Sequence, residues 1–183
     1  TPEGVQRRVL DFRGGTPGFP SPNSVRTAAV EDYIFGFGSI INSESRASSG
    51  AKGCAATAEL LPSFGWTRSW NFRKDTGFTA LGLQRASPDG VRAGVCGVVF
   101  AVEEHMSVFD EREVGYRRVR VPASELALRT WGTPADPSCL ASPDQVAMLQ
   151  RSLDNGDAVV WTYIPEQECT FEADNDHPIC QTY

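Results

Sequence analysis

The segment "DYIFGFGSII", residues 32–41, starts as a strand and ends in a glycine-containing loop. Aromatic and β-branched residues fill its first half and favour an extended conformation, and Gly36 and Gly38 then interrupt the run. The loop lacks the third glycine of a Gly-x-Gly-x-x-Gly phosphate loop, and no Lys-Ser/Thr pair follows, which disfavours a nucleotide site. A short glycine loop can still present backbone N–H groups to a small anion. We therefore predict a strand that runs into a loop suited to anion binding.

Strand and helix patterns follow this segment without a strict strand–helix–strand alternation. The patterns predict a hairpin of residues 78–86 and 94–102 around the turn "SPDG", a helix over 102–113, a strand over 116–122, a helix that Ser142 caps and Gly156 ends, and a strand over 157–165. This mixture favours an α+β fold or a small barrel with helices, and it disfavours a doubly wound parallel sheet.

The chain of 183 residues has the length of one domain with tails, and its composition divides it into three parts. Residues 1–30 are rich in Gly, Pro and Ser and lack any sustained period, so we expect an extended arm that packs on its own domain or binds a protein partner. Residues 31–165 carry the predicted core. Residues 166–183 are acidic and unperiodic, and we expect a C-terminal tail on the surface.

Charge and hydropathy exclude several classes of protein. A net charge of −6 and a pI near 4.9 disfavour nucleic acid as a partner, because such a chain repels polyphosphate. No apolar run approaches the roughly 20 residues that a transmembrane helix needs. The first residues lack the apolar region of a secretory signal, and the sequence begins without Met. We expect a cytoplasmic protein, with an organelle (plastid or mitochondrion) as the alternative if a targeting peptide has been removed.

The five cysteines are widely spaced and form no Cys-x-x-Cys pair, and only two histidines accompany them. This pattern disfavours a structural zinc site and a dense disulfide framework, and it favours buried free thiols. The sequence does not decide whether Cys169 and Cys180 form a disulfide.

Glu113 stands out among the charged residues because it continues an apolar stripe. Val102, Met106, Phe109 and Glu113 are spaced i, i+4, i+7 and i+11, on one face of the predicted helix. A carboxylate in that position faces the core or a cleft, where burial raises its pKa and suits it to proton transfer. Its neighbours Glu111 and Arg112 are expected to point elsewhere. The alternative is a glutamate at a helix end that forms a surface ion pair.

Two segments together resemble one enzyme family. "YIFGFGSIIN", residues 33–42, resembles the W/Y-x-F-G-Y-G-S-L-I loop of the ChaC branch of the γ-glutamylcyclotransferases, and "FDEREVGYRRVRV", residues 109–121, resembles that family's L-D-x-R-E-x-x-G-Y-x-R segment. Between them, "GWTRSWNF" and "GVCGVVFAV" are similar to two further family stretches in the same order. The resemblance extends over residues 33–121, about half of the chain.

This resemblance implies a small mixed β-barrel with flanking helices, and an enzyme that releases 5-oxoproline from γ-glutamyl compounds. Glutathione is the substrate of the ChaC branch, and neither a metal nor an organic cofactor takes part. The resemblance assigns the catalytic role to Glu113 and the substrate loop to Phe37, Gly38, Ser39 and Ile40, with Arg68 and Tyr116 near the site.

The chain departs from the family pattern at two positions in the loop region. Phe37 replaces the tyrosine of Tyr-Gly-Ser, and Asn42 stands where an aromatic residue is expected. Beyond Val121 the resemblance is no longer specific. These departures leave a second hypothesis, a non-catalytic subunit of this fold bound into a larger assembly through its arm and tail. A cyclotransferase acting on γ-glutamylamines is a third.

Overall fold

The computed structural model describes residues 30–51, 53–74, 77–90, 93–103, 105–129 and 140–180. Nearly all of the predicted arm and the last three residues of the predicted tail lie outside these ranges. Within them, none of the helices combines the length and the apolar character that a membrane crossing requires.

The described elements alternate irregularly along the chain, as predicted. In order they are β1 (Glu31–Gly36), α1 (Ser43–Ala47), β2 (Ala56–Leu60), β3 (Trp66–Phe72), β4 (Ala80–Arg85), β5 (Val95–Ala101), α2 (Met106–Arg112), β6 (Tyr116–Val121), β7 (Leu126–Leu128), α3 (Pro143–Asn155) and β8 (Ala158–Pro165). Short 3-10 turns cover Ser39–Ile41, Pro62–Phe64, Ala123–Glu125 and Gln167–Cys169.

Among the described residues, six strands form one mixed sheet in the order β6-β8-β1-β5-β2-β7. β1 lies in its centre, antiparallel to β5 (Ile34↔Phe100) and parallel to β8 (Ile34↔Trp161). β3 and β4 form a separate two-stranded ribbon. The mixed sheet and its helices form the predicted α+β arrangement.

Alternate side chains of β1 point to opposite faces of the sheet, and apolar residues of other elements cover both faces. Phe35 belongs to the larger apolar cluster, which includes Leu149 and Leu153 of α3. Ile34 belongs to a second cluster, which includes Phe109 of α2. The second half of β1 is therefore buried on both sides, and the carboxyl end of the strand is fixed by the packing of both layers.

The predicted hairpin of residues 78–86 and 94–102 is wrong, although each segment contains a strand. β4 pairs with β3, whereas β5 lies between β1 and β2 in the six-stranded sheet. An Asp-Gly turn signals only a local reversal of the chain. Most of β5 is buried, so it requires a strand on each edge and cover on each face.

The predicted helix over residues 102–113 begins later than expected. Val102 donates its N–H to the carbonyl of Asp32 at 2.9 Å and so continues the pairing of β5 with β1. His105 is the N-cap of α2, and Met106 is its first residue. Val102 and Met106 still pack against the same apolar cluster. The apolar spacing therefore predicted burial correctly but not the start of the helix.

The helix predicted from Ser142 to Gly156 is confirmed. The hydroxyl of Ser142 accepts the N–H of Gln145, and the side chain of Gln145 accepts the N–H of Ser142 at 2.8 Å, which completes the capping box. Gly156 ends the helix in the left-handed conformation. The strands predicted over residues 116–122 and 157–165 are formed as β6 and β8.

The described part of the C-terminal tail runs along both outer edges of the β3–β4 ribbon. Thr170 forms a bridge with Phe72 of β3, and Ile179 forms one with Thr79 beside β4. Cys169 therefore lies on the β3 side of the ribbon and Cys180 on the β4 side. No two described cysteines are joined by a disulfide. The predicted burial of the thiols is wrong, because Cys54 and Cys96 are exposed and Cys169 and Cys180 are only partly buried. The ribbon places Cys169 and Cys180 about three strand spacings of about 4.8 Å apart. This separation is too large for a disulfide between them.

Candidate active site

A cleft opens at the carboxyl end of β1, between the sheet and the β3–β4 ribbon. Its empty space measures about 400 Å³, part of it open to solvent. It is lined by Ile34, Phe35, Gly36, Phe37, Gly38, Ser39, Ile40, Leu81, Glu113, Tyr116 and Tyr163. The structure thus brings together the predicted loop of residues 37–40, Glu113 and Tyr116, which are far apart in the sequence.

The loop is a 3-10 turn that packs closely against the strand before it. The N–H of Ile41 binds the carbonyl of Gly38 at 2.9 Å, and the N–H of Asn42 binds the carbonyl of Ser39 at 3.1 Å. A Cβ atom at Gly36 would overlap the side chain of Ile40. The absence of a side chain at Gly36 therefore allows the turn to fold back onto β1.

Glu113 is the first residue after α2, at a tight turn into β6. Its N–H still binds the carbonyl of Phe109 at 2.9 Å, and its own carbonyl accepts the N–H of Tyr116 at 2.9 Å. Gly115 completes the turn with a φ of 94°, which residues with a side chain rarely adopt. The turn fixes Glu113 and Tyr116 at the same wall of the cleft.

The carboxyl group of Glu113 is largely removed from water and touches a cation. Its side chain is 20% exposed, and Arg112 Nε lies 3.1 Å from Glu113 Oε1. Burial disfavours the ionised form and raises the pKa of Glu113. The charge and hydrogen bond of Arg112 act in the opposite direction without cancelling the increase. Such a carboxyl group is suited to accept a proton and return it.

The prediction that Arg112 points away from Glu113 is wrong. Its guanidinium group also donates to the carbonyl of Ser45 at 2.6 Å, to the hydroxyl of Ser45 at 2.8 Å and to the hydroxyl of Ser49. Helix geometry separates the directions of adjacent residues, but Glu113 lies beyond the last helical residue. Arg112 therefore links Glu113 to the region of α1, while Glu111 is exposed.

Two tyrosines and the ribbon form the remainder of the wall. Tyr116 stacks on Phe72 with 3.9 Å between ring centroids, and its hydroxyl donates to the carbonyl of Leu81 at 2.8 Å. The hydroxyl of Tyr163 donates to Asp110 Oδ1 at 2.9 Å, and burial together with Asp110 raises the pKa of Tyr163. The two rings are thus held in place by Phe72, by Asp110 and by the backbone of Leu81.

The remaining predicted residues have identifiable surroundings. Phe37 is 6% exposed and its ring packs in the larger apolar cluster. Asn42, the departure after the loop, is the N-cap of α1, and its side chain accepts the N–H of Ser45 at 3.0 Å. Arg68 is exposed on β3 and donates to the carbonyl of Cys96, outside the residues that line the cleft. Its assignment to the site stays a prediction.

Sequence reasoning did not identify Leu81, Tyr163, Arg112 and Arg46 as part of this region. Tyr163 reaches the cleft because β8 pairs in parallel with β1, and no local pattern signals that pairing. Arg46 follows the loop by six residues and is buried. A single arginine in a polar stretch of sequence gives no signal of such burial. In the described part of the chain, no cluster of three or more His, Cys, Asp or Glu side chains could hold a metal ion.

No protein-family model matches the chain, and no curated protein matches its sequence. Solved structures share its fold. A γ-glutamyl cyclotransferase specific to glutathione from yeast superposes with a TM-score of 0.51 at 16% identity, over 78% of this chain and 72% of that one. A second structure described in the same words gives 0.49 at 14% identity, over 79% and 76%. A further γ-glutamyl cyclotransferase gives 0.49 at 12% identity, over 78% and 69%.

At these identities the likeness concerns the fold. It confirms the predicted fold class, α+β with a γ-glutamylcyclotransferase-like small mixed β-barrel and flanking helices.

Proposed function

We propose that this chain is a γ-glutamylcyclotransferase that releases 5-oxoproline from glutathione or a related γ-glutamyl compound. One observation carries the proposal. Glu113, a largely buried carboxyl group with a raised pKa, lines the same cleft as the turn of residues 37–40. A proton-transfer group and a loop for the substrate thus share one site.

The proposed reaction needs one group that both removes and supplies a proton. The α-ammonium of the γ-glutamyl group loses a proton to the ionised Glu113, and the free amine attacks the γ-carbonyl carbon. The new C–N bond closes the lactam, and the original amide C–N bond breaks. Glu113 then returns the proton to the departing nitrogen. The second proton, which the ring nitrogen must lose to become the lactam N–H, passes through the same carboxyl group to the released amine. The amine leaves as an ammonium ion and Glu113 is again ionised. A carboxyl group with a pKa above its usual range is suited to both steps.

The turn of residues 37–40 supplies the position of the substrate. Backbone N–H groups around Gly38, Ser39 and Ile40 can hold the α-carboxylate of the γ-glutamyl group or the oxyanion that forms at its amide. Folding the amine onto the carbonyl within contact distance accounts for much of the acceleration expected of such a site.

Three further observations support this assignment. The fold is that of a yeast γ-glutamyl cyclotransferase specific to glutathione. Phe37 keeps an aromatic ring where the family has tyrosine, and this ring lies in the core. Asn42, which replaces an expected aromatic residue, caps α1 and so gains a structural role of its own.

The decisive experiment measures 5-oxoproline release by the purified chain from glutathione and from a panel of γ-glutamyl peptides and γ-glutamylamines. Glu113→Gln keeps the shape of the side chain and removes the base, and we expect its rate to fall at least about a hundredfold. Glu111→Gln is the matched control, because Glu111 is an exposed carboxylate two residues away. Its rate should stay within about twofold of the wild type.

A wild type that turns over none of these compounds would overturn the enzyme assignment. The chain would then be treated as the non-catalytic subunit of the second hypothesis. Equal losses in Glu113→Gln and Glu111→Gln would instead show that Glu113 is not the base.

A further inference from the structure

Arg46 is a buried cation directly behind the turn that lines the cleft. It lies in α1 and is 3% exposed. Its Nη1 atom donates to the carbonyl of Ile41 at 2.5 Å and to that of Ile40 at 3.3 Å. The guanidinium carbon also lies 5.7 Å from the ring centroid of Phe100, on β5. The side chain thus connects the turn to the core of the sheet.

These contacts complete the hydrogen bonding of the turn on its inner side. The carbonyls of Gly38 and Ser39 accept N–H groups from within the turn, and those of Ile40 and Ile41 accept from Arg46. Four consecutive carbonyls therefore have defined partners. Each carbonyl shares a planar peptide group with the N–H of the next residue. Holding the carbonyls of residues 38–41 therefore also restrains the direction of the N–H groups of residues 39–42.

We infer that Arg46 is a positioning residue that holds the turn of residues 38–41 in the orientation needed to bind the γ-glutamyl part of the substrate. This inference rests on the proposed function of the cleft. Arg46 does not line the cleft, so it acts through the backbone of the turn. Its positive charge behind these peptide groups also favours an anion in front of them.

The two arginines of this region contact different parts of the site, namely Glu113 and the turn. Arg112 touches the carboxyl group of Glu113, whereas Arg46 touches the carbonyls of the turn. Loss of Arg46 should therefore weaken substrate binding and leave the acid side of the pH–rate profile unchanged. A merely structural role would lower the amount of folded protein without changing KM.

The test uses Arg46→Met, which keeps most of the volume and removes the donors, and Arg46→Lys, which keeps the charge and one donor group. Arg151→Met, an exposed arginine on α3, is the control. Hydrogen exchange of the amides of Ile41 and Asn42 reports the hold on the turn without any substrate. KM, kcat and the pH profile with the best γ-glutamyl substrate report its effect on binding.

We expect exchange of these two amides to accelerate by about tenfold or more in Arg46→Met, because two carbonyls lose their donor. KM should rise by roughly tenfold, with kcat changing by less than about threefold and the acid limb in place. Arg46→Lys should recover part of both effects, and it carries the test if Arg46→Met does not fold.

Unchanged exchange in both variants would overturn the inference, and so would faster exchange with an unchanged KM. If the wild type has no activity on any γ-glutamyl compound, the proposed function fails. In that case the exchange measurement alone still decides whether Arg46 holds the turn.

Discussion

Arg112 Nε lies 3.1 Å from Oε1 of Glu113, so the residue next to the proposed base in the sequence is also its neighbour in space. The contact opposes the rise in the pKa of Glu113 that burial causes. The pKa of Glu113 is thus set by burial and by Arg112, which act in opposite directions, and each can be changed separately.

Arg112→Gln should shift the acid limb of kcat/KM to higher pH. Removing the cation removes an influence that favours ionised Glu113, so the pKa of Glu113 rises further. Activity needs the ionised form and is lost as pH falls through that pKa. Arg112→Lys should return the acid limb most of the way to its wild-type pH. Arg117→Gln, at an exposed position on β6, should leave the pH of the limb unchanged. A limb that moves to lower pH would contradict this account.

Glu113→Gln should stabilise the protein at pH 8 and have little effect near pH 4. Because the pKa of Glu113 is raised in the folded state, its contribution to stability is complete below the unfolded pKa and is lost as pH rises through the folded pKa. Glutamine imitates the protonated carboxyl group at every pH. Thermal unfolding should show a gain of roughly 2–4 °C for each kcal/mol of burial penalty removed. A Tm gain that is equal at both pH values would refute the explanation.

Gly36→Ala should damage both the stability and the cleft. The added methyl group would overlap the side chain of Ile40 and push the turn away from β1. Overpacking of this kind typically costs about 1–3 kcal/mol, and we expect KM to rise as well. Gly53→Ala is the control, because its nearest contact would be Glu103 Oε1 at 3.4 Å. Denaturant unfolding and steady-state kinetics measure the two effects, and similar results for both variants would show that Gly36 has no special role.

Tyr116→Phe should lower the free energy of unfolding by about 1 kcal/mol, the typical value for one hydrogen bond. The hydroxyl of Tyr116 donates to the carbonyl of Leu81, and this bond ties the ribbon to β6, whereas the stacking on Phe72 is kept. Tyr116→Leu removes the stacking too and should cost more. If chemical denaturation shows Tyr116→Phe to be as stable as the wild type, the bond does not hold the ribbon.

Cys169 and Cys180 should remain unlinked under mild oxidation. The β3–β4 ribbon lies between them, at a separation of about 14 Å from three strand spacings, and a disulfide needs Cα atoms within roughly 7 Å. Peptide mapping of alkylated protein without reduction should recover both as separate thiol peptides. A Cys169–Cys180 crosslink in folded protein would show that the tail takes another path.

Much of the fold and half of the site could be predicted from local signals in the sequence. The capping box at Ser142 and the strand segments around residues 116–122 and 157–165 depend on contacts between near neighbours, and such contacts leave a readable pattern. Local signals do not reveal the pairing of β4 with β3, because the Asp-Gly turn after β4 is equally compatible with a hairpin to β5. Only the burial of β5 between β1 and β2 excludes that hairpin.

The sequence by itself indicated the turn of residues 37–40, Glu113, Tyr116 and Arg68, because motifs and apolar spacing are properties of short segments. The tertiary structure alone decided that the first three of these share one cleft, that Tyr163 and Leu81 complete it, and that Arg68 lies outside its lining. It also decided the contacts of Arg46 and Arg112, since the partners of a buried charge come from whichever chain segments the packing brings beside it.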